Sequence, residues 1–225
     1  YGGRKDKAIE TWKLALNQPY ITPEEKNKFH IILAKTYQNL GSYDLAVQEL
    51  KKVNIDEKNA STVYMELGNL YKNIKDYNTA VSYFIKVFDS IDSSVEQKKE
   101  AAVQIADSYL LTKEINNLEI AKSWINKAIR LSPNDPKILV VKGKILLESS
   151  SQRDIENVIE TLLPLTYEDH PPSIQKDVYL TLGIAYYKNK EYQRALQAFQ
   201  MVLQIDPLNE TAIRYKNTII DKMGK

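Results

Sequence analysis

The feature that most constrains this chain is a residue pattern between Lys176 and Asn209 that returns at four earlier places and, in part, at a fifth. Tyr179, Leu182-Gly183 and Tyr186 stand at aromatic-x2-Leu-Gly-x2-Tyr, followed by Ala195-x3-Phe199 and then Pro207. Residues three and four apart share a helix face, so the first four form an apolar stripe with one notch. Gly183 has no side chain and Ala195 only a methyl, which lets two helix axes approach where these residues meet. Asn189-Lys190-Glu191 is a short polar break, and short connections make antiparallel neighbours. Pro207 lacks an N–H and its ring clashes with the preceding turn, so it ends the second helix. One such hairpin buries only part of its apolar surface, and stacking several makes a continuous core.

The same pattern predicts helix pairs over 27–60, 61–94, 99–135, 136–172 and 176–209, with a lone second helix over 1–16 and a terminal helix over 210–223. Leu33-Ala34, Tyr37, Gly41, Ala46 and Leu50 carry the first pair, and Tyr64, Leu67-Gly68, Tyr71, Ala80 and Phe84 the second. The third keeps Ile105-Ala106, Tyr109, Ala121, Ile125 and Ala128, and its extra residues between Thr112 and Leu118 predict a longer loop or an added helical turn. The fourth is divergent: Leu139, Gly143 and Leu146 hold its first helix, Val158, Leu162 and Leu165 its second, and Pro164 is expected to kink or end that helix. Thr22-Pro23-Glu24-Glu25 reads as an N-cap followed by proline in the first turn.

This unit resembles the tetratricopeptide repeat, whose period is about 34 residues, and the resemblance covers nearly the whole chain. It implies an all-α, right-handed superhelical solenoid of about twelve helices: one second helix, five hairpins and a C-terminal capping helix. Gly3-x4-Ala8-x3-Trp12-x2-Ala15 matches Gly41-x4-Ala46-x3-Leu50-x2-Val53. The chain is therefore expected to begin inside a hairpin, leaving an open N-terminal edge suited to self-association.

Composition narrows the chemistry. A net charge of +2 without a long Lys/Arg block gives no nucleic-acid footprint, and Lys51-Lys52 and Lys98-Lys99 read as solvated helix faces. With no cysteine there is neither a disulfide framework nor a thiolate metal site. No apolar run reaches the roughly 18 residues of a membrane helix. His30 falls in a helix and His170 in a loop, far apart and read as structural. No phosphate-binding glycine motif occurs, so no catalytic residue, metal or cofactor is expected. Most of the fifteen tyrosines sit on the repeat pattern as packing residues, whereas Tyr187 lies just off the core face.

In such repeats the resemblance implies that the first helices line a concave surface. The helical period then turns inward Ile31, Lys35 and Gln38; Met65, Asn69, Lys72 and Asn73; Val103 and Asp107; Val140 and Lys144; and Tyr187 and Lys188. An aliphatic floor flanked by amides and lysines suits a peptide or amphipathic helix, with acidic partners favoured by steering. One branch of the family grips a C-terminal carboxylate with inward Lys and Asn. Here Ile31, Met65, Val103 and Val140 stand where cations are needed. The expected role is a non-catalytic protein-interaction scaffold. The alternative is the soluble part of a membrane-anchored or cell-envelope assembly factor, and the compartment is left open.

Overall fold

A computed structural model describes residues 2–112, 115–149 and 151–223, and among them it contains twelve α-helices, one 3-10 turn and no strand. The fold is an all-α array of tetratricopeptide-type helix hairpins. By compactness the chain divides into residues 1–112 and 113–225.

The first unit holds α1 (Gly2–Leu16), α2 (Pro23–Gln38), α3 (Tyr43–Lys51), α4 (Ala60–Asn73), α5 (Tyr77–Asp89) and α6 (Val95–Thr112). Entry into α2 is fixed by a full capping box. Thr22 N donates to Glu25 Oε2 at 2.9 Å, while Glu25 N donates back to Thr22 Oγ1 at 3.2 Å. Consecutive helices pack side by side, α2 on α3, α3 on α4 and α4 on α5. Leu33, Ala34, Leu50, Val63 and Leu67 build their common core, against which Ile9, Trp12 and Leu16 of α1 pack. The notch is tight: a Cβ on Gly68 would stand 2.5 Å from the fully buried ring of Phe84. Where Ala34 replaces glycine, the buried partner in the second helix is the slimmer Leu50. Lys99 differs from the solvated face expected of it. Its side chain is only 12% exposed and its ammonium lies 2.7 Å from Glu96.

The second unit holds α7 (Ile115–Leu131), α8 (Pro136–Ser149), α9 (Gln152–Leu162), a 3-10 turn (Pro164–Tyr167), α10 (Pro172–Lys188), α11 (Tyr192–Ile205) and α12 (Glu210–Met223). Pro164 acts as its sequence predicts: α9 stops at Leu162 and the chain tightens into the 3-10 turn, which packs against α9 and α10. Gly183 repeats the close approach of Gly68, with a Cβ 2.7 Å from the ring of Phe199. Its core runs from Val140 and Leu162 through Leu182 and Phe199 to Ala212 and Ile219 of α12. Between first and second helices the backbone turns through a left-handed residue at one register position, Gly41 (φ 74), Lys75 (φ 66) and Lys190 (φ 62). Of the stretch from Thr112 to Leu118 expected to hold the extra residues of the third repeat, Thr112 ends α6 and residues 115–118 open α7, while positions 113 and 114 lie outside the described residues. The flanking α6 and α7 are long, at 18 and 17 residues.

Candidate functional site

The inward positions of the first unit lie on α2, α4 and α6, and hydrogen bonds between these first helices define their common face. Lys35 of α2 reaches Glu66 of α4 at 2.9 Å, and Lys72 of α4 reaches Asp107 of α6 at 2.5 Å. Lys72 also donates to Gln104 Oε1 at 2.6 Å. Its cation is thus neutralised within the fold, with side chains only 18% and 21% exposed for Lys72 and Asp107. Lys35 keeps more of its surface in water, at 51%.

Around these bridges the face presents Ile31, Gln38, Met65 and Asn69, all half-buried, and the exposed Asn73. Ile31 packs against the first unit's core, so only its outer part is presented. Val103, placed by its spacing in the aliphatic floor, is buried in α6 and contributes little surface.

In the second unit the corresponding positions behave similarly. Lys144 of α8 lies 3.9 Å from Asp177 of α10, and Lys188 of α10 donates to the Leu147 carbonyl at 2.5 Å. Val140 is buried in the core. Tyr187 is covered by the terminal helix: its ring meets that of Tyr215 edge-on at 5.0 Å, and Lys222 donates to its hydroxyl at 2.9 Å.

Sequence spacing located the lysines but missed their acceptors Glu66, Gln104 and Asp177. The signal for them was that each acceptor follows its lysine by roughly one repeat. His30 also has a structural partner, its Nδ1 lying 2.8 Å from Glu49 Oε2. Burial pushes the Glu49 carboxyl up, but hydrogen bonds from Lys52 and His30, with their charges, outweigh it and hold the group below its ordinary value. Among the described residues no cluster of three His, Cys, Asp or Glu could hold a metal, and no helix is long and apolar enough to cross a membrane.

Two family models match the chain. The model described as tetratricopeptide repeat covers residues 28–54 and 61–91, and that of the Fis1 C-terminal tetratricopeptide repeat covers residues 177–225. The TPR repeat-containing protein MJ1428 of Methanocaldococcus jannaschii is 25% identical over 216 residues, which is 96% of this chain and 32% of that protein. The protein CTR9 homolog of Arabidopsis thaliana is 22% identical over 187 residues, 80% of this chain and 16% of its own length. The chain thus spans about a third or less of the relatives it matches.

Among solved structures, the thermophilic TPR protein TTC0263 of Thermus thermophilus superposes with a TM-score of 0.66 at 14% identity, covering 86% of this chain and 99% of its own. The APC/C hetero-tetramer Cut9–Hcn1 gives 0.78 at 14% identity over 99% of this chain and 40% of that one. YrrB, described as a TPR protein with an unusual peptide-binding site, gives 0.54 at 18% identity, over 93% and 99%. Repeat pattern, helix order and structural neighbours coincide over nearly the full length, family models match residues 28–54, 61–91 and 177–225, and the chain has the tetratricopeptide-repeat fold.

Proposed function

We propose that the chain is a non-catalytic scaffold that binds an amphipathic peptide segment on the first-helix face of residues 1–112. The observation that carries this reading is the arrangement of Gln38, Asn69 and Asn73 beside Ile31 and Met65 on helices tied together by Lys35–Glu66 and Lys72–Asp107. Carboxamides offer both donors and acceptors to a peptide backbone, and the aliphatic side chains supply apolar burial beside them. The ion pairs hold the face in shape before a partner arrives, which lowers the ordering cost of binding. Because Lys72 already has its acid within the fold, electrostatic attraction of acidic partners is a smaller part of recognition than the lysine count alone implies.

Capture of partners from the source organism's lysate tests this with wild type and Asn69→Glu/Asn73→Glu, two positions outside those ion pairs. A partner retained by wild type and lost by the variant at unchanged helicity supports the first-helix face. Equal retention by both contradicts it.

A further inference from the structure

One position in the second helices carries a pattern that the repeat consensus leaves out. It immediately precedes the buried anchor of that helix, Leu50, Phe84, Ile125 or Phe199, and is occupied by Glu49, Tyr83, Trp124 and Ala198. In the first three cases a lysine three residues on covers that side chain. Lys52 donates to Glu49 at 2.7 Å, Lys86 stands 5.0 Å from the centre of the Tyr83 ring, and Lys127 stands 3.5 Å from that of Trp124. In the last, alanine is followed at that spacing by Met201, and in the divergent repeat the place before Leu162 is Thr161.

The α4–α5 and α10–α11 hairpins otherwise match in their packing residues: Tyr64 with Tyr179, Leu67-Gly68 with Leu182-Gly183, Tyr71 with Tyr186, and Phe84 with Phe199. In the former, the Tyr83 ring is clamped by its two neighbours, 6.0 Å from Tyr64 and stacked at 5.6 Å on Tyr71. In the latter, Tyr179 and Tyr186 line a cleft of about 340 Å³ together with Ala198 and Met201. Leu163, the C-cap of α9, and Tyr167 of the 3-10 turn also line it, and Tyr167 is largely exposed. The cleft therefore lies where the preceding hairpin of the same design holds a tyrosine ring, between the equivalents of the two residues that clamp that ring.

We infer that this cleft binds an aromatic side chain of a partner peptide, taken between Tyr179 and Tyr186 as Tyr83 is taken between Tyr64 and Tyr71. Offset or tilted ring pairs at such distances are favourable, and a methionine sulfur beside a ring adds to them. Charge complementarity narrows the partner further. Among the described residues that line the cleft, Arg194 alone is charged, and its guanidinium stands 5.4 Å from the Tyr186 ring with one nitrogen donating to Glu191 at 2.7 Å. A guanidinium has five N–H donors, so a carboxylate next to the incoming ring finds a cation at the rim. The fitting motif is an aromatic residue beside an acidic one, and this site is independent of the first-helix face.

The probe is N-acetyltyrosine, which joins the ring to a carboxylate, with N-acetyltyrosine amide and N-acetylleucine as comparisons. The chain has three methionines, so methyl resonances distinguish Met201 from Met65 and Met223. N-acetyltyrosine should shift the Met201 methyl saturably through the ring current, while N-acetylleucine binds more weakly. Arg194→Gln should cost the carboxylate probe about three- to tenfold in affinity and leave the amide unchanged. Ala198→Tyr, or the smaller filler Ala198→Leu, should abolish the shift at wild-type helicity by filling the cleft from within. An unmoved Met201 methyl overturns the inference, as does an undiminished shift in a folded filled variant. Self-association abolished by Tyr20→Ala, a residue fully outside the cleft, would make a second copy the source of the ring and likewise overturn it.

Discussion

Lys72 and Asp107 join two first helices at 2.5 Å with most of both side chains out of water, and Gln104 accepts a further bond from the same ammonium. Lys35 and Glu66 repeat this connection one helix earlier, but Lys35 is half in solvent. The better shielded pair should be worth more. Double-mutant cycles on urea denaturation should give a coupling of about 1–2 kcal/mol for Lys72/Asp107 and about 0.5 kcal/mol or less for Lys35/Glu66. Equal couplings would remove the special role of the α4–α6 bridge.

The glycine notch is a packing requirement. A methyl at Gly183 would meet the Phe199 ring at 2.7 Å, and that ring is fully buried. Gly183→Ala should therefore destabilise by about 1–3 kcal/mol despite the higher helix propensity of alanine. Gly183→Ala with Phe199→Leu, which imitates Ala34 with Leu50, should recover part of the loss. Chemical denaturation of both variants measures this.

Lys190 holds a left-handed backbone conformation at φ 62, where its equivalent in the first hairpin is Gly41. Glycine adopts this region without a steric penalty, at some cost in unfolded-state entropy. Lys190→Gly is expected to stabilise by about 0.5 kcal/mol net, whereas Gly41→Ala should destabilise by about 1 kcal/mol. Melting temperatures of the two variants should move in opposite directions.

The Glu49 carboxyl is held below its ordinary value of 4.5 in the folded chain. A depressed folded value means that the native state binds fewer protons, so this group's stabilisation is full above the unfolded value and is lost as pH falls through the folded one. Glu49→Gln should be less stable than wild type near neutrality, and the difference should shrink as the medium is acidified below about pH 4.5. Denaturation across that range gives the result directly, and a pH-independent difference would show that packing, not charge, holds the site.

Much of the fold was legible in the sequence because the residues that set it are local and repeated. The Tyr-x2-Leu-Gly-x2-Tyr stripe, the Thr22-Pro23 start of α2 and the stop at Pro164 each follow from helix period, capping or proline sterics within a few residues. The inward lysines were legible as positions, yet their engagement was not. Whether Lys72 faces solvent or Asp107 depends on the lateral packing of α4 against α6, which helix period alone does not specify. The position of Tyr187 off the core face was legible, but its contacts were not, because α12 supplies Tyr215 and Lys222 from a distant part of the chain. The cleft beside Ala198 was hidden because its signal is the smallness of one residue, and it emerges only when two hairpins are aligned in space.

Under the proposed function, recognition belongs to the first-helix face of residues 1–112. The most direct measurement is a photo-crosslinking scan in the source organism, with benzoylphenylalanine placed in turn at Asn69 and Asn73 of that face and at Ser82 on α5. One partner should crosslink from Asn69 and Asn73 and not from Ser82. Adducts to that partner from Ser82 alone would contradict it.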